Sequence, residues 1–251
     1  MSAPPKVMFV TGGSRGIGAG VVLAAIEAGY DVAFTYRSRE DAAQGVIERA
    51  RAIDPQRQCR AYALDVRDSA AVEAVGEAVL DAFDTVGVVV NNAAVTHTGL
   101  AFSTADEDWA EVIDTNLTGA FYVSRFFLQT LVPQRAGRLV FMSSIASAGM
   151  AGDVAYCASK AGMLGLSAAL AKEYGRKGIT SNALLLSLFE TDMTQSELSE
   201  DKRAFYRQHC PVGRVGRVEE AAGAVLYLAS EAAAFVNGQT LGVTGGLDWF
   251  H

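Results

Sequence analysis

Short apolar runs alternate with longer stretches of helical periodicity along almost the whole chain. The runs are rich in β-branched and aromatic residues, and they lie at residues 6–11, 31–36, 60–64, 86–90, 138–142, 180–186 and 239–243. Strands that alternate with helices form a parallel sheet, because each crossover helix packs back on one face of the sheet. We therefore predict an α/β fold with a doubly wound, Rossmann-type sheet of seven parallel strands and helices on both faces.

No repeat, linker or low-complexity stretch divides the 251 residues, so we expect a single domain. Its cofactor half covers about residues 1–140, and its catalytic and substrate half covers about residues 141–251. The least regular stretch is 187–199. Long irregular segments often act as lids, so we predict a lid over about residues 187–210.

Charge and cysteine usage exclude several classes of protein. The net charge is −7, which disfavours binding to nucleic acid or to an anionic membrane. No apolar run approaches the roughly 20 residues of a membrane span, and no secretory signal is expected. The three cysteines, Cys59, Cys157 and Cys210, lie far apart without a C-x-x-C pair. This usage predicts a reducing, cytoplasmic location and no metal site.

A glycine-rich turn connects the first strand to the first helix. Its glycines let the chain turn sharply, let the backbone approach a pyrophosphate and let the helix pack close to the sheet. The amino end of that helix supplies free N–H groups and a partial positive charge for phosphate. Strand, turn and helix follow one another in the order that dinucleotide binding requires. The predicted cofactor contacts in the turn are Gly12, Ser14, Arg15, Gly16, Ile17 and Gly18.

The end of the second strand indicates which dinucleotide is bound. A site for NAD places an acidic residue there, which accepts hydrogen bonds from the ribose hydroxyls. This chain instead has Thr35, Tyr36, Arg37 and Ser38. Arg37 together with Arg15 could hold a 2′-phosphate through charge-assisted hydrogen bonds. The predicted cofactor is therefore NADPH or NADP.

The chain resembles the classical short-chain dehydrogenases/reductases, and within them the 3-oxoacyl-acyl-carrier-protein reductases. Its glycine turn has that family's spacing, G-x-x-x-G-x-G, and residues 91–94 resemble the N-N-A-G element after the fourth strand. Residues 238–246 resemble the terminal strand, G-x-x-[LI]-x-V-x-G-G. The resemblance covers essentially the whole chain. It implies cofactor contacts from Asp65, Val66, Asn92 and Ala93.

Tyr156 and Lys160 form the pattern Y-x-x-x-K. Residues four apart on a helix point the same way, and an ammonium near a phenol favours the phenolate and lowers the phenol pKa. The resemblance implies that Tyr156 donates the proton and that Lys160 also reaches the nicotinamide ribose, so both residues contact the cofactor. It further implies that Asn116 anchors a water in a proton relay to Lys160.

The family also has a serine at the end of the fifth strand that hydrogen-bonds the substrate carbonyl. Two adjacent residues, Ser143 and Ser144, fit this place. Alignment of the strand from Gly137 selects Ser144, whereas the family's usual separation from the tyrosine selects Ser143. We choose Ser144, because alternation fixes strand register and the following loop can lose one residue.

One segment departs from the family pattern. Residues 182–193 resemble the segment that covers the nicotinamide, but Leu186 and Ser187 replace the family's Pro-Gly. We expect this change to reshape the substrate pocket without abolishing hydride transfer. Phe189 and Thr191 are the predicted cofactor contacts in the segment. His97, on the loop after the fourth strand, is interpreted as an ordinary loop residue.

Two functional hypotheses follow. The first is an NADPH-dependent ketoreductase that acts on a β-ketoacyl group attached to an acyl carrier protein. Its alternative within the enzyme class is a secondary-alcohol dehydrogenase or carbonyl reductase that acts on a free small molecule. The second hypothesis is a non-catalytic NADP-binding sensor. The presence of Asn116, Ser144, Tyr156 and Lys160 favours an enzyme.

The resemblance also implies protein partners. The family's carrier-docking positions correspond to Arg135 and Lys177, with Arg138 and Arg176 beside them, and these four residues form the predicted docking surface. The family pairs its long helices and its terminal strand across two-fold axes, so we expect a homotetramer. The predicted helix near residues 121–131 has apolar residues on more than one face, which agrees with such an assembly.

Overall fold

The computed structural model describes residues 4–191 and 200–247, with the backbone alone for residues 200–203. One parallel sheet has the strand order β3-β2-β1-β4-β5-β6-β7. The strands are β1 (Val7–Val10), β2 (Asp31–Tyr36), β3 (Cys59–Ala63), β4 (Val88–Asn91), β5 (Gly137–Ser144), β6 (Ile179–Leu186) and β7 (Thr240–Val243). This arrangement confirms the predicted doubly wound fold.

Helices cover both faces of the sheet. The described helices are α1 (Gly16–Glu27), α2 (Glu40–Ile53), α3 (Ser69–Phe83), α4 (Asp106–Ile113), α5 (Gly119–Gln134), α6 (Val154–Tyr174), α7 (Glu200–His209) and α8 (Val218–Ala229). Side chains of α1, α2 and α8 form one core with the sheet, and those of α3, α5 and α6 form the other. In β1, Met8 and Val10 face the first core, while Val7 and Phe9 face the second. The strands are apolar at nearly every position because both sheet faces are buried.

The helical spacing of apolar residues over about 107–132 predicts one long helix, but the structure interrupts it. A π-helical turn, Asp114–Thr118, separates α4 from α5. The Gly119 N–H donates to the Asp114 carbonyl, five residues back. The spacing of apolar residues did not reveal the π-helical turn, because it is helical both before and after the turn. Single π-turns occur frequently at functional sites, and this one contains Asn116.

The predicted lid over residues 187–210 is partly helical. Helix α7 occupies its carboxyl half, and residues 192–199 lie outside the described residues. The Tyr206 side chain of α7 packs against a small separate core of Ile145, Leu185 and Leu247. Ile145 follows β5 and Leu185 belongs to β6. This packing therefore attaches α7 to the carboxyl edge of the sheet.

Helix α6 and the 3₁₀ turn after it, Val154–Lys177, are long and apolar enough to cross a membrane, with a mean hydropathy of 1.3. The amino-acid sequence had predicted no stretch of this kind. The helix packs on β5 and β6 and buries the polar side chains of Ser159, Lys160 and Ser167. Hydrogen bonds within the protein satisfy these groups, with the Ser167 hydroxyl 3.1 Å from that of Ser181. We therefore interpret α6 as a core helix.

The structure contradicts one predicted docking residue. Arg138, the second residue of β5, is only 1% exposed. Its Nη1 atom donates to the Gly137 carbonyl at 3.0 Å, and burial lowers the pKa of its guanidinium. The prediction for Arg138 is wrong because helices cover both faces of the sheet, so a residue of β5 is buried whichever face it points to. Arg135, Arg176 and Lys177 are exposed.

Candidate active site

A cavity of about 450 Å³ opens at the carboxyl edge of the sheet. The strand order reverses there between β1 and β4, and ligands of open α/β sheets bind at such a reversal. Every predicted site residue except Asn116 lines this cavity: Gly12, Ser14, Arg15, Gly16, Ile17, Gly18, Arg37, Asp65, Val66, Asn92, Ala93, Ser144, Tyr156, Lys160, Phe189 and Thr191. The fold therefore brings together residues that are far apart in the sequence.

Hydrogen bonds from β4 hold the glycine turn in place. The Asn92 Nδ2 atom donates to the carbonyls of Thr11 at 2.9 Å and Gly12 at 3.1 Å. The Thr11 hydroxyl accepts from the N–H groups of Asn92 and Ala93, both at 2.9 Å. Gly12 has a φ of +67°, and a Cβ atom there would lie 3.1 Å from the Ala93 Cα atom. Asn92 therefore shapes the turn, and only glycine fits at position 12.

The amino end of α1 has the features that a pyrophosphate requires. Within the described part of the chain, no side chain caps this helix, and its first turn has no acidic residue. A Cβ atom at Gly18 would overlap the Gly12 carbonyl oxygen, and Gly16 has a φ of +54°. A phosphate can thus approach the backbone directly at the positive end of the helix dipole. These residues fit a dinucleotide.

The arginine at the end of β2 is paired with an acidic residue. Arg37 Nη1 donates to Glu111 Oε1 at 3.0 Å, and Glu111 lies on α4. Asp65, after β3, accepts from Arg67 Nε at 2.9 Å, and this hydrogen bond lowers the Asp65 pKa. Arg15 is exposed and makes no ion pair within the described residues. The predicted 2′-phosphate site therefore contains one unpaired arginine and one paired arginine.

The two serines at the end of β5 differ in their contacts. The Ser143 side chain is 3% exposed, and its hydroxyl donates to the Lys160 carbonyl at 2.9 Å. The Ser144 hydroxyl accepts from the Ala146 N–H at 3.2 Å. Hydrogen bonding with Ser144 also lowers the Tyr156 pKa. Ser144 is thus the serine that interacts with the phenol, while Ser143 joins β5 to α6.

Burial dominates the electrostatics of Tyr156 and Lys160. Loss of solvation raises the Tyr156 pKa to about 12, despite the opposing effect of Ser144. Burial also lowers the Lys160 pKa to about 8. The Lys160 Nζ atom donates to the Met142 carbonyl at 2.7 Å and lies 5.4 Å from the centre of the Tyr156 ring. The Tyr156 pKa is therefore raised, not lowered as expected from the pairing, and the phenol keeps its proton at neutral pH.

Asn116 lies behind the cavity and is fully buried. Its Oδ1 atom accepts from the Val95 N–H at 2.8 Å. Its Nδ2 atom donates to the Val95 carbonyl and to the Ser159 hydroxyl, both at 3.0 Å. The side chain thus joins the loop after β4 to helix α6. The polar atoms of the Asn116 side chain are thus taken up by protein contacts, and its part in a proton relay stays a prediction.

The segment after β6 lies beside the glycine turn. A Cβ atom at Gly16 would be 3.5 Å from Thr191 Cγ2. The Phe189 side chain is 3% exposed, and the residues around it pair with Gly216, whose carbonyl accepts from the Glu190 N–H at 2.8 Å. The Ser187 hydroxyl donates to the Thr244 carbonyl at 3.3 Å. The chain after Leu186 is therefore tied down without the family's Pro-Gly pair.

Sequence reasoning missed several residues of the site. Met150, Leu188 and Tyr206 also line the cavity. Tyr206 comes from a polar helix in a stretch predicted to be irregular, and its aromatic ring was the one signal of a packed position. Glu111 was missed as well, because no motif connects α4 with the end of β2.

Comparison with known proteins agrees with this geometry. Residues 12–248 match the family model described as Enoyl-(Acyl carrier protein) reductase. A solved structure described as a short-chain alcohol dehydrogenase from Sinorhizobium meliloti superposes with a TM-score of 0.91 and 31% identity, over 98% of this chain and 97% of that chain. The chain belongs to the short-chain dehydrogenase/reductase family. It is an oxidoreductase with a site for a nicotinamide cofactor, which confirms the resemblance and the enzyme class predicted from the sequence.

Its relatives include 3-oxoacyl-[acyl-carrier-protein] reductases called FabG. The Escherichia coli enzyme is 37% identical over 248 residues, which cover 98% of this chain and 99% of that protein. The Salmonella typhimurium enzyme is 36% identical over the same shares of both chains. The Staphylococcus aureus enzyme is 35% identical over 245 residues, with 96% and 98% covered. This short-chain reductase is thus similar to FabG enzymes over nearly its full length.

Proposed function

We propose that this protein is an NADPH-dependent ketoreductase whose substrate is a β-ketoacyl group attached to an acyl carrier protein. The observation that carries the proposal is that Ser144, Tyr156 and buried Lys160 line the same cavity, with the Lys160 Nζ atom 5.4 Å from the centre of the Tyr156 ring. Two hydroxyl donors at one point suit a carbonyl oxygen that gains negative charge. The full-length similarity to 3-oxoacyl-[acyl-carrier-protein] reductases supports the substrate class.

The residues of the site have separate roles in this reaction. The bound dinucleotide would supply the hydride to the carbonyl carbon. Ser144 holds the carbonyl oxygen, and Tyr156 gives its proton to that oxygen as charge develops. The Lys160 ammonium, charged below a pH of about 8, stabilises the phenolate that remains and returns a proton to it. Asn116 keeps α6 in place and would hold the relay water through its main-chain carbonyl.

Ketone reduction suits this site better than the enoyl reduction named in the matching family model. An enoyl substrate takes its proton at a carbon atom, whereas a ketone takes it at oxygen. Tyr156 keeps its proton up to a pH of about 12, and the Ser144 hydroxyl lies beside it. Hydride addition places negative charge on a carbonyl oxygen in both reactions. In ketone reduction the Tyr156 proton completes the product at that oxygen, whereas enoyl reduction needs a further proton at a carbon atom.

NADPH as the reductant is supported by the charges at the end of β2. Gly12, Gly16 and Gly18 would hold the pyrophosphate at α1, and Asp65 and Val66 border the adenosine end of the cavity. Arg15 and Arg37 also line the cavity, and they offer guanidinium groups to a 2′-phosphate. Phe189 and Thr191 are proposed to contact the nicotinamide end.

The proposed carrier-docking residues lie at the edge of the sheet opposite the cavity. Arg135 precedes β5, and Arg176 and Lys177 precede β6, whereas Ser144 ends β5. Gly137 and Ser144 are seven residues apart in that strand, which corresponds to about 23 Å. A carrier bound at these residues would therefore serve the cavity of another subunit. Such delivery needs a two-fold assembly, and we propose the homotetramer for this reason.

Exposed apolar side chains support the proposed assembly. Trp109 on α4 and Phe121 on α5 are 41% and 40% exposed, and Phe235 before β7 is 100% exposed. These positions lie on the long-helix face and near the terminal strand, the two surfaces expected to pair. Sedimentation that shows a stable monomer at micromolar concentration would refute the assembly.

The substrate proposal is tested by charge reversal. The variant carrying Arg135→Glu and Lys177→Glu should raise KM for a carrier-linked β-ketoacyl substrate, more strongly at low salt, and leave KM for a short free β-ketoester unchanged. The matched control reverses Arg49 and Arg51, two exposed arginines of α2, and should leave both values unchanged. Equal responses of the two substrates would favour the free small-molecule alternative, with which the similarity to a short-chain alcohol dehydrogenase also agrees.

Turnover separates an enzyme from a sensor. We expect NADPH oxidation with a generic β-ketoester, and we expect it to require Tyr156. Tight NADPH binding without turnover of any ketone would instead support the sensor.

The three cysteines are unpaired, which supports the proposed cytoplasmic location.

A further inference from the structure

Glu111 supplies the acidic group that the sequence lacks at the end of β2. Its Oε1 atom accepts from Arg37 Nη1 at 3.0 Å and from Arg67 Nη1 at 3.4 Å. Its Oε2 atom lies 2.7 Å from His97 Nε2. The carboxylate therefore connects the predicted 2′-phosphate site with the end of β3 and with the loop after β4.

We propose that Glu111 sets the cofactor preference of this enzyme by competing with the 2′-phosphate of NADPH for the Arg37 guanidinium. The inference rests on the proposed NADPH dependence. Arg37 lines the cavity, and Glu111 holds it from α4 outside the lining. A guanidinium that is bound to a carboxylate must release or share that partner before it can bind a phosphate. Glu111 therefore reduces the preference for NADPH over NADH.

Glu111 could either compete with the phosphate for Arg37 or hold Arg37 in the orientation that binds the phosphate. The contacts favour competition. The Arg37 and Glu111 side chains are 49% and 28% exposed, and exposed ion pairs exchange partners at little cost. Glu111 retains Arg67 and His97 when Arg37 leaves, so no unpaired carboxylate is left behind. The hydrogen bond from His97, and then that from Arg37, lowers the Glu111 pKa. Glu111 is thus ionised at neutral pH and competes as a full negative charge.

The neighbouring carboxylate Asp108 offers a matched control. It lies on α4, one turn before Glu111, and its Oδ1 atom is 3.8 Å from His97 Nδ1. It has no ion pair with Arg37 among the described residues. Asp108→Asn therefore removes the same charge from the same helix without freeing Arg37.

The test measures binding of adenosine 2′,5′-bisphosphate and of AMP to the full chain by titration calorimetry. Glu111→Gln should bind the bisphosphate about two- to fivefold more tightly, the range that corresponds to one exposed ion pair. Its affinity for AMP, which lacks the 2′-phosphate, should not change. Asp108→Asn should bind both ligands like the unmodified protein. Weaker binding of the bisphosphate to Glu111→Gln would show that Glu111 orients Arg37, and would overturn the proposal.

A second experiment, in the Arg37→Ala variant, distinguishes a failure of this inference from a failure of the proposed NADPH dependence. In Arg37→Ala, adding Glu111→Gln should have no further effect. The one guanidinium that the described structure still places on Glu111, that of Arg67, lies outside the cavity lining and stays bound to Asp65. An equal gain in both backgrounds would show a general charge effect and overturn the competition. If Arg37→Ala itself weakens the bisphosphate no more than AMP, then the assignment of Arg37 to the 2′-phosphate, and with it NADPH dependence, is the part that fails. If Arg37→Ala weakens the bisphosphate selectively while Glu111→Gln changes nothing, the inference fails alone.

Discussion

Replacing Lys160 by methionine should abolish activity and stabilise the fold. The Lys160 side chain is 3% exposed, and burial lowers its pKa from 10.5 to about 8. At 1.36 kcal/mol per unit, holding the buried ammonium costs about 3 kcal/mol. The hydrogen bond to the Met142 carbonyl at 2.7 Å offsets about 2 kcal/mol, because its donor is charged. We therefore expect Lys160→Met to raise the free energy of unfolding at pH 7 by about 1 kcal/mol.

The pH dependence identifies the cause of this gain. Below pH 8 both the folded and the unfolded protein hold the Lys160 proton, so the full cost is present. Between a pH of about 8 and 10.5 only the unfolded chain holds that proton, so the stability of the unmodified protein rises with pH. Above 10.5 both forms are neutral, and the desolvation cost disappears. The advantage of Lys160→Met should therefore shrink across this window.

Urea unfolding of the cofactor-free protein at fixed protein concentration, from pH 7 to pH 10.5, measures this difference. Lys172→Met is the control, because Lys172 is an exposed lysine in the last turn of the same helix. It should leave the free energy of unfolding within about 0.5 kcal/mol of the unmodified protein, as surface substitutions usually do. A loss of stability in Lys160→Met at pH 7, or a constant difference across the pH range, would refute the reasoning.

Three further predictions concern the catalytic groups. Tyr156→Phe should fold and bind NADP as before, and kcat should fall about 10²- to 10⁴-fold; more than a tenth of the original rate would place the acid elsewhere. Ser144→Ala should lower kcat more than Ser143→Ala, whereas Ser143→Ala should lose about 1 kcal/mol of stability because its bond to the Lys160 carbonyl is lost; the reverse ranking of kcat would contradict the proposed roles. The rate of ketone reduction should fall as pH rises through about 8, where Lys160 loses its proton while Tyr156 keeps its own to about 12; a first decline only near pH 10 would assign it to another group.

The sequence predicted those features of the fold that depend on a single strand or helix, or on the order of strands and helices along the chain. Short apolar runs in the sequence located all seven strands of the described sheet. The site followed from topology, because parallel strands place their carboxyl ends at one edge. Motifs at the ends of β1, β2, β3, β4 and β5 therefore meet in one cavity. The choice of Ser144 over Ser143 followed from strand register and stays a prediction; both serines line the cavity, and the Ser143 hydroxyl is taken up by the Lys160 carbonyl.

The sequence did not predict features that depend on side-chain surroundings. Arg138 looked like a surface charge, but it lies in β5, which helices cover on both faces. The expected decrease of the Tyr156 pKa assumed that Lys160 acts on the phenol, whereas desolvation has the larger effect. Spacing shows that two side chains share a helix face, but it does not show how much water reaches them. That balance decides the sign of a pKa shift.

The preference between NADPH and NADH cannot be predicted from the residues at the end of β2 alone. The rule that an acidic residue at the end of β2 selects NAD considers only that strand, and by this rule the chain lacks an acid. In the folded protein, Glu111 from α4 lies 3.0 Å from Arg37, and Arg67 after β3 contacts the same carboxylate. A 2′-phosphate that binds Arg37 would have to compete with this carboxylate, although Glu111 lies on another element of the fold. The preference between NADPH and NADH therefore depends on three elements that only the tertiary fold brings together.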